Sequence, residues 1–278
     1  MSKFEWDLHL HSTVSDGKLS PSALVAVAEL VGLKGMAITD HNTTEGCMEA
    51  ISEGKRLGIE VICGVELSSW DDKNNNWHIL GYFLDPDAKS LVDFQRRYFK
   101  ARRQRTEDIL KKLGDYGYDV DISEFRRIYP GDNASRPHIA MYLVSKGYFS
   151  HVQDVFEKEI GNGKRCYIPD YYKLTVYEAA KIIREAGGVP VLAHPMQDFD
   201  NVWDVPWEMF KDSGIVGIEV MHPKNKGYME ALTLIAEKFD FLPTGGSDWH
   251  GNEVTGEFII GQFGVESWVI ERLRSFNK

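Results

Sequence analysis

The chain alternates short β-rich apolar runs with stretches of helical spacing, breaks into a mainly helical segment, and then resumes the alternation. Residues 4–8, 36–39, 59–63 and 77–83 read as strands before the break; 189–193, 215–220 and 241–245 read as strands after it. Ser20-Pro21 opens a helix, with serine as the cap and proline at the first helical position. Thr175 and Glu178 form a capping box before another. Asp132-Asn-Ala and Gly161-Asn-Gly mark turns inside the helical segment. Strands alternating with crossover helices imply a parallel sheet. The expectation is an α/β barrel built from residues 1–87 and 172–278, with a helical insert, 88–171, covering its mouth.

At 278 residues, the chain holds one large domain or two small ones. Its net charge of −10 argues against a general nucleic-acid coat protein. No apolar run reaches the roughly 18 residues of a membrane helix. Residues 1–7 lack the apolar segment of a secretory signal. Cys47, Cys63 and Cys166 are scattered, and none forms a CxxC pair. They suit a reduced, cytoplasmic protein.

The nine histidines and the carboxylates beside them carry more information. Asp7, His9 and His11 end the first strand and share one face, because side chains alternate along a strand. Asp16 lies in the next loop, Asp40-His41 follows the second strand, and Glu66 follows the third. His78 lies on the fourth, His194 follows residues 189–193, and Asp248 and His250 follow the last strand. Strand ends converge at one mouth of a parallel barrel. A single histidine after a strand is ordinarily a hydrogen-bonded structural residue. Six of them, each patterned with a carboxylate, are better explained by metal ligation. Imidazole and carboxylate without thiolate suit Mn, Fe or Zn, and the number of donors calls for two or three divalent ions.

Asp7-x-His9-x-His11, Thr39-Asp40-His41, Gly64-Val-Glu66, Ala193-His194-Pro195 and Ser247-Asp248-x-His250 together resemble the motifs of the PHP (polymerase and histidinol phosphatase) superfamily. The resemblance implies a distorted (β/α)7 barrel with a trinuclear metal centre. It assigns His9, His11, Glu66 and Asp248 to one metal, Glu66, His78 and His194 to a second, and Asp16, His41 and His250 to a third. It leaves Asp7 and Asp40 as carboxylates that orient the ligating imidazoles. The chain's length, its insert and Ser135-Arg136-Pro137-His138 resemble the stand-alone TrpH/YciV-like branch. That branch implies a phosphoesterase acting by metal-activated water on a small phosphorylated substrate, a nucleotide such as a nucleoside 3′,5′-bisphosphate. Trimming of short oligonucleotides in the 5′→3′ direction and histidinol phosphatase activity are the alternatives. No membrane and no obligate protein partner is implied.

The insert is rich in arginine and lysine. Guanidinium groups hold phosphate bidentately. Arg102 and Arg105 can share a helix face, and Arg136 is fixed before a proline, so these three are candidate substrate contacts. Ser135, His138 and Lys224 are further substrate candidates. Arg136 is expected to neutralise charge on phosphate oxygens, and His222 to protonate the leaving oxygen. Trp70, Trp77 and Trp249 flank the motifs as packing residues or base-stacking platforms.

Overall fold

The computed structural model describes residues 1–131, 134–252 and 256–277. Asp132 and Asn133, the start of an expected turn, lie outside these residues. The chain divides into two compact units, Met1–Asp93 with Leu174–Lys278, and Phe94–Lys173. Helix Lys89–Asp115 begins in the first unit and continues into the second. Among the described residues, no helix is long and apolar enough to cross a membrane.

The first unit is a nearly closed, barrel-shaped sheet. Its strands are β1 (Trp6–Asp7), β2 (Gly35–Ile38), β3 (Glu60–Trp70), β4 (Asn76–Tyr82), β5 (Leu174–Thr175), β6 (Val189–Leu192), β7 (Gly217–Met221) and β8 (Leu242–Gly245). They run in the order β1-β2-β3-β4-β6-β7-β8, with β5 attached to β3. Past β8, the Leu8 N–H donates to Gly245 O and the Asp248 N–H to His9 O, joining the two edges. Leu8, Ile62, Tyr82, Val191 and Leu242 fill the interior, and Val269, Ile270 and Leu273 of the last helix, Ser267–Phe276, pack with them.

Both expected helix signals operate. Ser20 accepts the Ala23 N–H at the start of α1 (Pro21–Val31), which ends at Gly32 in the left-handed conformation that glycine adopts without strain. Thr175 and Glu178 cap each other's backbone at the start of Val176–Glu185.

The sheet departs from the all-parallel expectation at β4, which is antiparallel to both β3 and β6. The cause is the short turn Asp71–Asn75. There the Asp71 carboxylate accepts the Lys73 and Asn75 N–H groups, and Asn74 takes a positive φ. So tight a link closes a hairpin, whereas a parallel crossover needs a dozen residues or more. His78 consequently enters near the beginning of its strand, yet at the same barrel end as residues following β1, β2, β6 and β8.

The second unit is helical. Asp121 caps Ile122–Ile128, Ser135 begins Arg136–Ser145, and Val152–Val155 leads into a π-helical turn, Phe156–Ile160. Its core joins Ile109, Leu113, Phe125, Tyr142, Leu143 and Ile160.

Candidate metal centre

His9 and His11 lie just past β1, where the chain leaves regular strand, and Leu8, His9, Leu10 and His11 are all fully buried. Gly246 permits the neighbouring chain to pass close by, since a Cβ there would stand 2.4 Å from His9 N and Cβ. His194 and Asp248, which follow β6 and β8, both adopt positive φ (23° and 52°) without being glycine. Such backbone costs on the order of 1–3 kcal/mol per residue and persists where surrounding structure enforces it. Here it turns two polar side chains into the barrel mouth.

Glu66, on β3, lies at the centre. Its Oε1 is 2.7 Å from His78 Nδ1 and 3.0 Å from His194 Nε2. Its Oε2 is 2.9 Å from His41 Nδ1, 3.3 Å from His11 Nε2 and 3.4 Å from His9 Nε2. Asp248 Oδ1 stands 3.3 Å from His9 Nε2 and 3.2 Å from His11 Nε2. Asp16, half-exposed, reaches His250 Nε2 at 3.2 Å. Donor atoms within 4.8 Å of one another form overlapping groups: His9, His11, Glu66 and Asp248; His11, Asp16, His41 and His250; His41, Glu66 and His78; and His9, Glu219 and His222. All nine expected ligand residues therefore converge. His41 lies between two groups, and His194 joins through Glu66.

The donor set fits divalent cations. His9 Nε2, His11 Nε2 and Glu66 Oε2 are buried and have no hydrogen-bond partner. Buried polar atoms are seldom left so, because desolvation is costly. His250 Nδ1 lies 2.8 Å from the Asp248 carbonyl, which can only accept, so Nε2 is the free nitrogen facing Asp16. Burial depresses the His194 imidazole to about 3, keeping it neutral and able to donate its lone pair. Burial alone would raise the Glu66 carboxyl, but the attraction of His41, His78 and His9 outweighs it and holds the group well below the carboxylate range. The cluster can hold metal.

Asp7 and Asp40 are buried, and against expectation neither carboxylate hydrogen-bonds an imidazole among the described residues. Asp7 accepts the N–H groups of His9, Ser247 and Gly261, and burial pushes its carboxyl up to about 6. Asp40 accepts Ser12 N–H and the Ser12 and Ser15 hydroxyls, fixing the loop that carries Asp16. Both hold backbone in place. Outside the expected ligand set, the carboxylate against a ligand-candidate ring is Glu219, which the sequence offered only as a neighbour of His222 and a possible substrate contact. A signal was available: an acid in an apolar strand cannot remain buried without partners.

His222 is fully buried, like His9 and His11. Lys224 is the half-exposed cation, with Nζ 2.7 Å from Asp248 Oδ2 and 2.9 Å from Gln197 Oε1. Trp77 stacks on Phe199 and is buried, as is Trp249, so both are packing residues.

In the helical unit, Arg105 donates to Ile168 O and pairs with Asp170, and Arg102 donates to Tyr98 Oη. Arg105 Nη2 and Arg102 Nε are buried without a hydrogen-bond partner. Arg136 donates to Asn162 and lies over the Tyr167 and Phe156 rings. Burial and the nearby Arg105 charge lower its pKa, which reflects like charges gathered together. Ser135 and His138 satisfy each other: the Ser135 N–H donates to His138 Nδ1.

Residues 7–185 match the family described as PHP domain, and the chain belongs to that family. It is 32% identical over 250 residues to a 5′-3′ exoribonuclease of Haemophilus influenzae, covering 88% of this chain and 90% of the relative. It is 30% identical over 257 residues to a 3′,5′-nucleoside bisphosphate phosphatase of Chromobacterium violaceum, covering 88% and 86%. Among solved structures, a Bifidobacterium adolescentis protein assigned to the metal-dependent phosphoesterases superposes with a TM-score of 0.82 at 29% identity, over 98% of this chain and 96% of that one.

Proposed function

We propose that this protein is a metal-dependent phosphoric ester hydrolase acting on a small nucleotide, such as a nucleoside 3′,5′-bisphosphate. The observation that carries the reading is the convergence of buried imidazoles on Glu66 and Asp248, with donor atoms left unpartnered. The relatives that act on nucleoside bisphosphate and RNA support a nucleotide substrate.

Three divalent ions, drawn from Mn, Fe and Zn, suit the donors. His9, His11, Glu66 and Asp248 would hold one; Glu66, His78 and His194 a second; Asp16, His41 and His250 a third. When bound, such ions supply positive charge that makes water nucleophilic near neutral pH and stabilises phosphoryl oxygens. The protein's own groups do the rest. Lys224 Nζ, held beside Asp248 Oδ2, would attract a phosphate oxygen. Asp7 and Asp40 keep the ligand-bearing loops fixed through backbone and hydroxyl hydrogen bonds. Arg102, Arg105 and Arg136, with Ser135 and His138 at the start of Arg136–Ser145, are the residues of the helical unit assigned to anion recognition. The three free cysteines are buried and suit a reducing compartment, and we assign the protein to the cytoplasm.

The deciding experiment is phosphate release by purified protein supplied with Mn. Nucleoside 3′,5′-bisphosphates, 5′-phosphorylated short oligonucleotides and histidinol phosphate are compared side by side. Preference for the bisphosphate, abolished by chelator and restored by Mn, is the expected result. Preference for oligonucleotides would favour 5′→3′ trimming, the reading supported by the Haemophilus relative. Chelator-insensitive turnover would overturn the proposal.

A further inference from the structure

Glu219, on β7, is fully buried and belongs to none of the histidine motifs. Both of its carboxylate oxygens lie 3.1 Å from His9 Nδ1. Its Oε2 also accepts the His194 N–H at 3.0 Å. One acid thus touches residues from two separate strand ends that bring donors to the cluster.

The contact settles which nitrogen His9 offers. An ionised carboxylate only accepts, so His9 Nδ1 carries a proton toward Glu219. His9 Nε2, on the other side of the ring, is left facing Glu66 and Asp248 at 3.4 and 3.3 Å. A carboxylate behind a ligating imidazole fixes its tautomer and orientation and raises its basicity.

His222, at the end of the same strand, acts on the other donor. Its Nδ1 accepts the Lys224 N–H at 3.1 Å, so in the neutral ring Nε2 carries the proton. That Nε2 faces Asp248 Oδ2 at 3.5 Å and Glu219 Oε2 at 3.9 Å. With Lys224 Nζ on the same Oδ2, Asp248 is left with Oδ1 toward His9 and His11. His222 Nε2 is buried without a hydrogen-bond partner and lies close enough to His9 and Glu219 to form a metal-sized group, but with Nδ1 occupied by the Lys224 N–H the neutral ring turns a proton, not a lone pair, toward Asp248 Oδ2.

We propose that Glu219 and His222 are positioning residues: Glu219 holds His9 with Nε2 presented to the metal, and His222 turns Asp248 so that Oδ1 is presented. The proposal rests on the metal-dependent reading above. It adds that the β7 end, which supplies no ligand of its own, sets the affinity of the site formed by His9, His11, Glu66 and Asp248.

The test is Mn²⁺ binding by calorimetry to metal-free full-length protein, together with the thermal midpoint of the metal-free form. Glu219→Gln nearly preserves shape but removes the charge, and His222→Phe removes the proton donor. Both are expected to weaken the tightest Mn²⁺ site by about 10–100-fold while leaving the metal-free midpoint within a few degrees. Excess Mn²⁺ should restore much of the phosphatase rate lost at limiting metal. Glu219→Asp, if folded, should bind Mn²⁺ better than Glu219→Gln. Asp248→Ala serves as the reference. If it loses Mn²⁺ while Glu219→Gln binds at the parental affinity, the positioning role is overturned and the metal reading stands. If Asp248→Ala also binds Mn²⁺ undiminished, the metal reading itself falls. A Glu219→Gln protein destabilised in its metal-free form but unchanged in Mn²⁺ affinity would show a packing role and likewise overturn the proposal.

Discussion

Glu66 and His78 meet diagonally across the β3–β4 hairpin, with Glu66 Oε1 2.7 Å from His78 Nδ1, while the strand register pairs Glu66 with Leu80 and His78 with Ser68. Residues two apart on a strand share a face, so the hairpin delivers both groups to the barrel interior. Two features of sequence produce this: a tight turn at Asp71–Asn75, and the spacing of the two donors from it.

Glu66 is within 3.4 Å of a nitrogen on each of five histidines, so Glu66→Gln removes charge from every part of the cluster at once. The expected loss in kcat/KM is at least about a hundredfold, exceeding the roughly 10–100-fold effect of altering an outer carboxylate. Bound metal per chain should fall in parallel. The comparison requires steady-state kinetics with saturating Mn and elemental analysis of the purified variant. Parental activity with full metal content would remove Glu66 from the site.

Metal addition should stabilise the barrel unit. His9 Nε2, His11 Nε2 and Glu66 Oε2 are buried and unpartnered, and a cation that binds only the folded chain shifts unfolding by mass action. At about a hundred times Kd, the gain is about 2.7 kcal/mol per site. Thermal unfolding of chelator-treated protein should therefore move upward with added Mn, and the shift should vanish in Asp248→Ala if all sites depend on that carboxylate, or shrink by one site if they do not. No upward movement in the parental protein would count against a preformed centre.

Arg136 lies over Tyr167 and Phe156 and donates to Asn162, an arrangement that aims and confines its planar guanidinium. If it recognises a second phosphate, Arg136→Ala should raise KM for a nucleoside 3′,5′-bisphosphate about tenfold or more, the effect of losing a charge-assisted hydrogen bond. Turnover at saturation should change little. Arg136→Lys should recover only part of the affinity, because a point charge replaces a planar fork. A substrate with a single phosphate should be indifferent to both changes; an equal loss on that substrate would mean that Arg136 serves the reaction in some other way.

Most of the expected ligand residues were legible because they sit in short motifs at strand ends; Asp16, in a loop, and His78, within β4, do not. What brings the ends together was legible only in outline. The order of strands and helices announced a barrel, but the direction of β4 depended on the Asp71–Asn75 turn, whose hydrogen bonds local patterning did not reveal. Glu219 lay within a run that otherwise reads as an ordinary buried strand. Its partner His9 is 210 residues away in sequence, so their contact is a product of the closed sheet. Asp7 and Asp40 show the converse: adjacency to histidine in sequence suggested contact with imidazole, while the fold commits both carboxylates to backbone N–H groups and serine hydroxyls.

The helical unit has its own acid-sensitive link. Glu159, buried in the π-helical turn, accepts hydrogen bonds from Arg165 Nε at 2.6 Å and Tyr118 Oη at 2.8 Å. Burial raises its carboxyl pKa, but the Arg165 and Tyr118 hydrogen bonds lower it further, leaving it below the usual range. A folded pKa below the unfolded value means that the unfolded chain takes up the proton first as pH falls. The link therefore contributes its full stability above about pH 5 and loses it as pH drops through the depressed folded value. Glu159→Gln should cost about 2 kcal/mol at pH 7, the scale of hydrogen bonds to a charged group, because Arg165 loses its anionic partner. The difference between parent and variant should narrow steadily below about pH 4, as the parental carboxyl is also neutralised. Hydrogen exchange of the amides in 94–173, measured at several pH values, isolates this unit from unfolding of the barrel. A gap that stays constant from pH 7 to pH 3 would show that Glu159 acts through packing and not through its charge.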